Sequence, residues 1–142
     1  MAEGKDLWIA VDPGKTCGWS LWKGNKVLKT GQSNSLTLFR LIEETDVKFV
    51  VYERFILRAS AAKAMIGNEF GTVQTIGVLK YICKRKGIPC IGQTPAQRTF
   101  FTNDRLKEMG VYEKGKPHAM DSVRHGLYYL AFTKKAISVD GN

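Results

Sequence analysis

Only three cysteines stand among 142 residues, at positions 17, 83 and 90, an odd number without metal-type spacing. A secreted disulfide scaffold is therefore excluded, and a reducing, intracellular compartment is expected. No apolar run approaches the roughly 20 residues that a membrane span needs. The opening Met-Ala-Glu-Gly-Lys-Asp has no apolar stretch of the secretory-leader type. Low-complexity stretches, long linkers and internal repeats are missing too, which predicts one domain over residues 1–142 and excludes a disordered tail. A chain of that length can bury about 70% of its unfolded surface. Its 44% hydrophobic and 25% charged content suits a globular protein.

Acidic residues are the scarcer charge, 13 against 22 Lys and Arg, for a formal net charge of +9. They are also unevenly placed. Residues 1–53 hold seven of each sign, whereas residues 54–142 hold fifteen basic and six acidic residues. The whole excess lies in the second part, from Arg54 to Lys135. A polyanionic partner is the natural reading; a lysine-rich solvated surface is the bland alternative.

The pattern predicts a β-β-β-α-β-α-β-α-α order. Leu7–Asp12 is an apolar strand ending in a carboxylate, followed by the Pro13-Gly14 turn. Residues 18–23 and 26–33 flank Gly24-Asn25, a two-residue hairpin signal. Ser35 opens a helix carrying Leu38, Leu41 and Ile42 on one face. Residues 48–53 form a central strand that also ends in an acid. A long helix is predicted over residues 67–86, with Phe70, Val73, Ile76, Leu79 and Ile82 at near-helical period and Gly87 as its stop. Residues 88–92 form the fifth strand, Thr94-Pro95 starts a short helix to Phe101, and Asn103 or Asp104 caps another to Met109. Pro117 begins a last helix running to about Lys135, with Met120, Val123, Leu127, Leu130 and Ala131 toward the core. A mixed five-stranded α/β sheet results, an antiparallel three-strand meander plus parallel strands, with helices on both faces.

Two strands end in acids, Asp12 and Glu53. If the first and fourth strands are parallel neighbours, both carboxylates share one sheet edge, and a cation must offset their repulsion. His118 and Asp121, three apart on the last helix, project from one helical face. Three carboxylates and an imidazole in a basic chain point to Mg²⁺ or Mn²⁺ and to phosphodiester hydrolysis with paired ions. Each residue also has a plainer reading. Asp12 can be a turn residue, His118 a surface residue, and Asp121 a complement to the helix dipole.

Asp12-Pro13-Gly14, Gly18-Trp19, Val50-Val51-Tyr52-Glu53 and His118-Ala119-Met120-Asp121, in that order, resemble the RuvC-type Holliday junction resolvases of the RNase H-like superfamily. The resemblance runs from Leu7 to about Phe132. It implies an RNase H-like fold and a homodimer that nicks a four-way DNA junction symmetrically, leaving 5′-phosphates and ligatable ends. It implies that Asp12 bridges two metal ions, that Glu53 holds one and Asp121 the other, and that His118 fills a position taken by Asp or His in the family. The Asp-Pro-Gly to Gly-Trp spacing is short and the chain compact, as in bacteriophage relatives, so a bacterial or phage-infected cytoplasm is expected. The resemblance to such relatives implies cutting of forks, flaps and other branched DNA as well, without a strict cleavage-sequence preference.

After Glu53 the family brings an aromatic to an unpaired base, which makes Phe55 the candidate, with a core phenylalanine as the alternative. Base stacking of that kind is worth ~1–3 kcal/mol. Arg54, Arg58, Lys63 and Arg98 are expected to hold DNA phosphates. Glu69 reads as a dipole complement or an extra acid, and His125 as a residue orienting a carboxylate or an exposed histidine. Gly67, Gly71 and Gly77 fit a closely packed helix, on the sheet or at a dimer interface. Lys15, in Asp-Pro-Gly-Lys-Thr, lacks the full phosphate-loop pattern around it.

Three other functions share these features. An actin-like kinase opens with a similar turn but needs more than twice this length. A non-catalytic DNA-binding module has no use for four converging acids and imidazoles. A branched-DNA, flap or RNA–DNA hybrid nuclease would keep the same chemistry.

Overall fold

The computed structural model describes residues 6–56 and 71–133. The expectations for Arg58, Lys63, Gly67, Glu69 and Phe70 lie outside the described residues, as does the predicted end of the last helix. Strands β1 (Leu7–Asp12), β2 (Cys17–Lys23), β3 (Lys26–Ser33), β4 (Val50–Glu53) and β5 (Cys90–Gln93) form one sheet in the order β3-β2-β1-β4-β5. The first three are antiparallel neighbours, and β1–β4 and β4–β5 are parallel. The mixed five-stranded sheet is the one the sequence predicts.

Because β1 and β4 are covered on both faces, their side chains sort by parity. Ile9, Val11, Val50 and Tyr52 enter one core with Leu38 and Ile42 of α1 (Ser35–Glu44) and Ile76, Leu79, Ile82 and Cys83 of α2 (Gly71–Lys86). Trp8, Ala10 and Val51 enter the other. There they meet Leu106 of α4 (Asn103–Glu108) and Met120, Val123 and Leu127 of α5 (Pro117–Tyr128). The four-residue helix α3 (Pro95–Arg98) follows β5 directly, and a five-residue π-helical turn, Tyr129–Thr133, extends α5.

Several local expectations are corrected. Val73 is exposed, because α2 turns the face carrying Thr75, Ile76, Leu79, Ile82 and Cys83 to the sheet, and Ala131 is exposed on the π-helical turn. Thr102, rather than Asn103 or Asp104, caps α4 by accepting from Arg105 N. The cations that end α2 serve another helix: Lys86 Nζ donates to the carbonyls of Ile42 (2.6 Å) and Thr45 (3.1 Å) at the end of α1. Gly71 and Gly77 face open space, so packing within the described residues does not explain them. Among the described residues no helix is long and apolar enough to cross a membrane.

Candidate active site

One transverse row of the sheet assembles the site. Ladder pairing sets Gln32 of β3 beside Gly18, Gly18 beside Asp12, and Glu53 beside Gln93; the register that pairs Val11 with Tyr52 brings Asp12 next to Glu53. Asp12 shares the parity of Trp8 and Ala10, and Glu53 that of Val51. Both carboxylates therefore leave the sheet on the face that α5 covers.

Gly18 lets α5 come close enough to meet them. A Cβ there would lie 1.9 Å from the carbonyl oxygen of His118, a backbone atom that cannot swing aside. Pro117 opens α5, and Lys116 provides no side-chain cap. Gln32 supplies one from across the sheet: its Oε1 accepts from the backbone N–H of His118 (2.7 Å) and Ala119 (3.1 Å). Held there, His118 places Nδ1 3.3 Å from Asp12 Oδ2.

Glu53 is gripped from two sides. Nε2 of His125, one turn beyond Asp121, lies 2.9 Å from Glu53 Oε1, and Arg98 Nη1 donates to the same oxygen at 2.5 Å. His125 is fully buried, which settles its two alternatives in favour of a carboxylate-orienting position. Its Nδ1 is 2.7 Å from the Gln93 side-chain oxygen, while the Gln93 amide nitrogen is buried without a partner. Gln93 thus braces the Nδ1 side of the ring while Nε2 faces Glu53.

Asp121 accepts from Arg124 Nη1 at 2.9 Å, and Arg98 Nε stands 3.9 Å from the same Oδ1. Arg124 is fixed by the Phe101 carbonyl (2.6 Å) and by Asn103.

The electrostatics separate the acids. Burial first, then the negative charges of Glu53 and Asp121, push the Asp12 carboxyl up to about 6, against the lowering contact with His118. Burial also works to raise Glu53, but hydrogen bonds from His125 and Arg98, and their charges, outweigh it and hold the carboxyl below its ordinary value.

Asp12, Glu53, His118 and Asp121 thus meet at one end of the sheet. Arg98 stands among these acids rather than on an outer rim. Arg54 is exposed, and Phe55 is half-buried, packed in part against the α1–α2 core. Gln32, Gln93 and Arg124 escape the sequence reading. Strand register was the signal for the two glutamines, since both lie in the row of Asp12 and Glu53.

The donors suit a hard divalent ion, three carboxylates and one imidazole, and the raised Asp12 marks surplus negative charge. Among the described residues, no group of three or more His, Cys, Asp or Glu side chains is gathered closely enough to hold an ion in this arrangement. The guanidinium of Arg98 lies between Glu53 and Asp121.

No protein-family model and no curated protein sequence matches the chain. Solved structures do. Thermus thermophilus RuvC in complex with Holliday junction substrate superposes with a TM-score of 0.69 at 12% identity, over 91% of this chain and 95% of that one. The fowlpox virus resolvase, in complex with its substrate Holliday junction DNA, gives 0.56 at 14% identity, over 88% and 97%. The yeast mitochondrial Holliday junction resolvase Ydc2 gives 0.54 at 12%, over 87% and 77%. The row of side chains described above is thus carried on a fold shared with these three Holliday junction resolvases.

Proposed function

We propose that the chain, as one nuclease domain over residues 1–142, is a metal-dependent endonuclease that resolves four-way DNA junctions by paired, symmetric nicks and acts as a homodimer. The observation that carries this reading is the convergence of Asp12, Glu53, His118 and Asp121 at one end of a resolvase-type sheet. The surrounding chain, with its net charge of +9, is suited to a polyanion. A DNA-binding module gains nothing from acids held together at a cost.

Asp12, Glu53, His118 and Asp121 are the residues that would hold Mg²⁺ or Mn²⁺, two ions to a site. Bound there, the ions supply the Lewis acidity that activates water and stabilises the departing oxygen in phosphodiester hydrolysis. The protein's part is orientation. Gln93 and His125 fix the Glu53 carboxylate from behind, Arg124 fixes Asp121, and His118 steadies Asp12. Arg54, Arg58, Lys63 and Arg98 would hold phosphates, and Phe55 would stack on a base at the crossover.

The test is incubation of purified protein with labelled immobile junction, linear duplex, flap and RNA–DNA hybrid, in Mg²⁺ or EDTA. Paired nicks near the crossover, in metal only, are expected. Tight junction binding without cutting in either Mg²⁺ or Mn²⁺ would reduce the protein to a binding module. Preferential cutting of hybrid or flap would keep the chemistry and replace the substrate.

A further inference from the structure

Arg98 holds an unusual position for a phosphate ligand. Its Nη1 is 2.5 Å from Glu53 Oε1 and its Nε 3.9 Å from Asp121 Oδ1, so one planar fork faces carboxylates from two different elements. Asp12 lies within Coulomb range of the same guanidinium. The position is built rather than accidental. Thr94 and Gln97 form a capping box around Pro95, which starts α3 at the end of β5 and leaves Arg98 in its last turn, over the acid row. Arg124 cannot exchange partners in the same way, since Asp121, Phe101 and Asn103 all hold it and its side chain is 12% exposed. Arg98 is 35% exposed.

We propose that Arg98 is the resting counter-ion of this site: its guanidinium pairs with the Glu53 and Asp121 carboxylates that would hold the divalent ions, and ion binding would release it to a DNA phosphate. The proposal rests on the nuclease reading above. A guanidinium fork matches phosphate as well as it matches carboxylate, so the exchange keeps its charge-assisted hydrogen bonds. It also couples the two ligands. Metal frees the arginine for DNA, DNA draws it off the acids, and by linkage each raises the other's affinity by the same factor.

The test is a Mn²⁺ titration followed by electron paramagnetic resonance, without DNA, on wild type, Arg98→Met and Arg98→Lys. Arg98→Met is expected to bind Mn²⁺ about tenfold more tightly than wild type, within the usual range of site-to-site coupling. Arg98→Lys, whose single ammonium cannot fork both acids, falls between them and decides the matter if the methionine variant does not fold. Adding Asp12→Asn removes the gain, which places the ion at this site. In wild type alone, Mg²⁺ should shift the Arg98 Nε–H resonance in a ¹⁵N spectrum. Equal or weaker Mn²⁺ affinity in both variants, or an Arg98 resonance that Mg²⁺ leaves in place, overturns the proposal. Junction cutting by wild type together with unchanged Mn²⁺ affinities would leave the nuclease reading standing and remove the counter-ion. Tighter Mn²⁺ binding by the variants, with no junction cutting by wild type, would do the reverse.

Discussion

A carboxylate at the end of a buried strand has two ways of lowering its cost: it takes up a proton or it acquires a cation. Asp12 is held at about 6 by burial and by the charges of Glu53 and Asp121. A folded-state value above the unfolded one means that the folded protein binds this proton more tightly. The associated stability is complete below the ordinary value of 3.8 and is lost as pH rises through about 6. A shift of that size is worth about 3 kcal/mol. In EDTA, Asp12→Asn should therefore match wild type near pH 4 and exceed it by up to about 3 kcal/mol at pH 7–8, measured by thermal unfolding. Mg²⁺ should raise wild type and leave the variant unmoved. The same substitution should abolish junction cleavage while binding persists or improves, because removing a negative charge cannot weaken attraction to phosphate. Parallel unfolding curves for the two proteins across pH 4–8 would show that Asp12 bears no such cost. Glu53 has the opposite sign: its carboxyl is held low, so its contribution is lost as pH falls through that lowered value.

The distance between elements matters as much as the acids they carry. Without a side chain at position 18, α5 rests its first turn on β2 and presents His118 and Asp121 to Asp12 and Glu53. Gly18→Ala drives a methyl into the His118 carbonyl, and only a shift of the whole helix relieves it. We expect a loss of about 3 kcal/mol in stability, at the upper end of ordinary overpacking. Cleavage should fall at least about 100-fold, because a displacement near 1 Å is enough for that. Junction binding, measured by fluorescence anisotropy, should change little; wild-type cleavage by Gly18→Ala would show that α5 has no such constraint. This level also shows what the sequence could and could not disclose. Glu53 was legible as a candidate because a charge closing an apolar strand has few structural reasons to be there, whereas Asp12, before Pro13-Gly14, also reads as a turn residue and gained weight only beside Glu53. His118 and Asp121 were legible from their three-residue spacing on a helix. Gln93 and Gln32 were not, since an amide at a strand end is ordinary and only the ladder register shows that it shares a row with the acids. Arg98 could be read as a cation near DNA, but not as a partner of Glu53, because the cap that aims α3 is a three-dimensional fact.

For the molecule as a whole, the proposed paired cutting would require two sites, hence two chains, and α2 offers a face that a second chain would use. Val73, Gly77 and Tyr81 recur at four-residue intervals on that helix and all are exposed. A glycine inside a helix costs about 1 kcal/mol relative to alanine, and nothing in the described residues approaches Gly77 to compensate for it. Close approach of a partner helix would. Gly77→Ala is therefore expected to stabilise the isolated protomer by about 1 kcal/mol, through propensity alone, while weakening self-association. Tyr81→Asp should break self-association outright, since it places a charge at the centre of an apolar contact. Sedimentation equilibrium should show wild type as a dimer and both variants shifted toward monomer. In a junction assay the monomeric forms should still nick but lose the pairing of the two cuts. If Gly77→Ala raises the melting temperature and leaves both the mass and the paired cutting unchanged, the stripe is a bare surface and the second copy docks elsewhere.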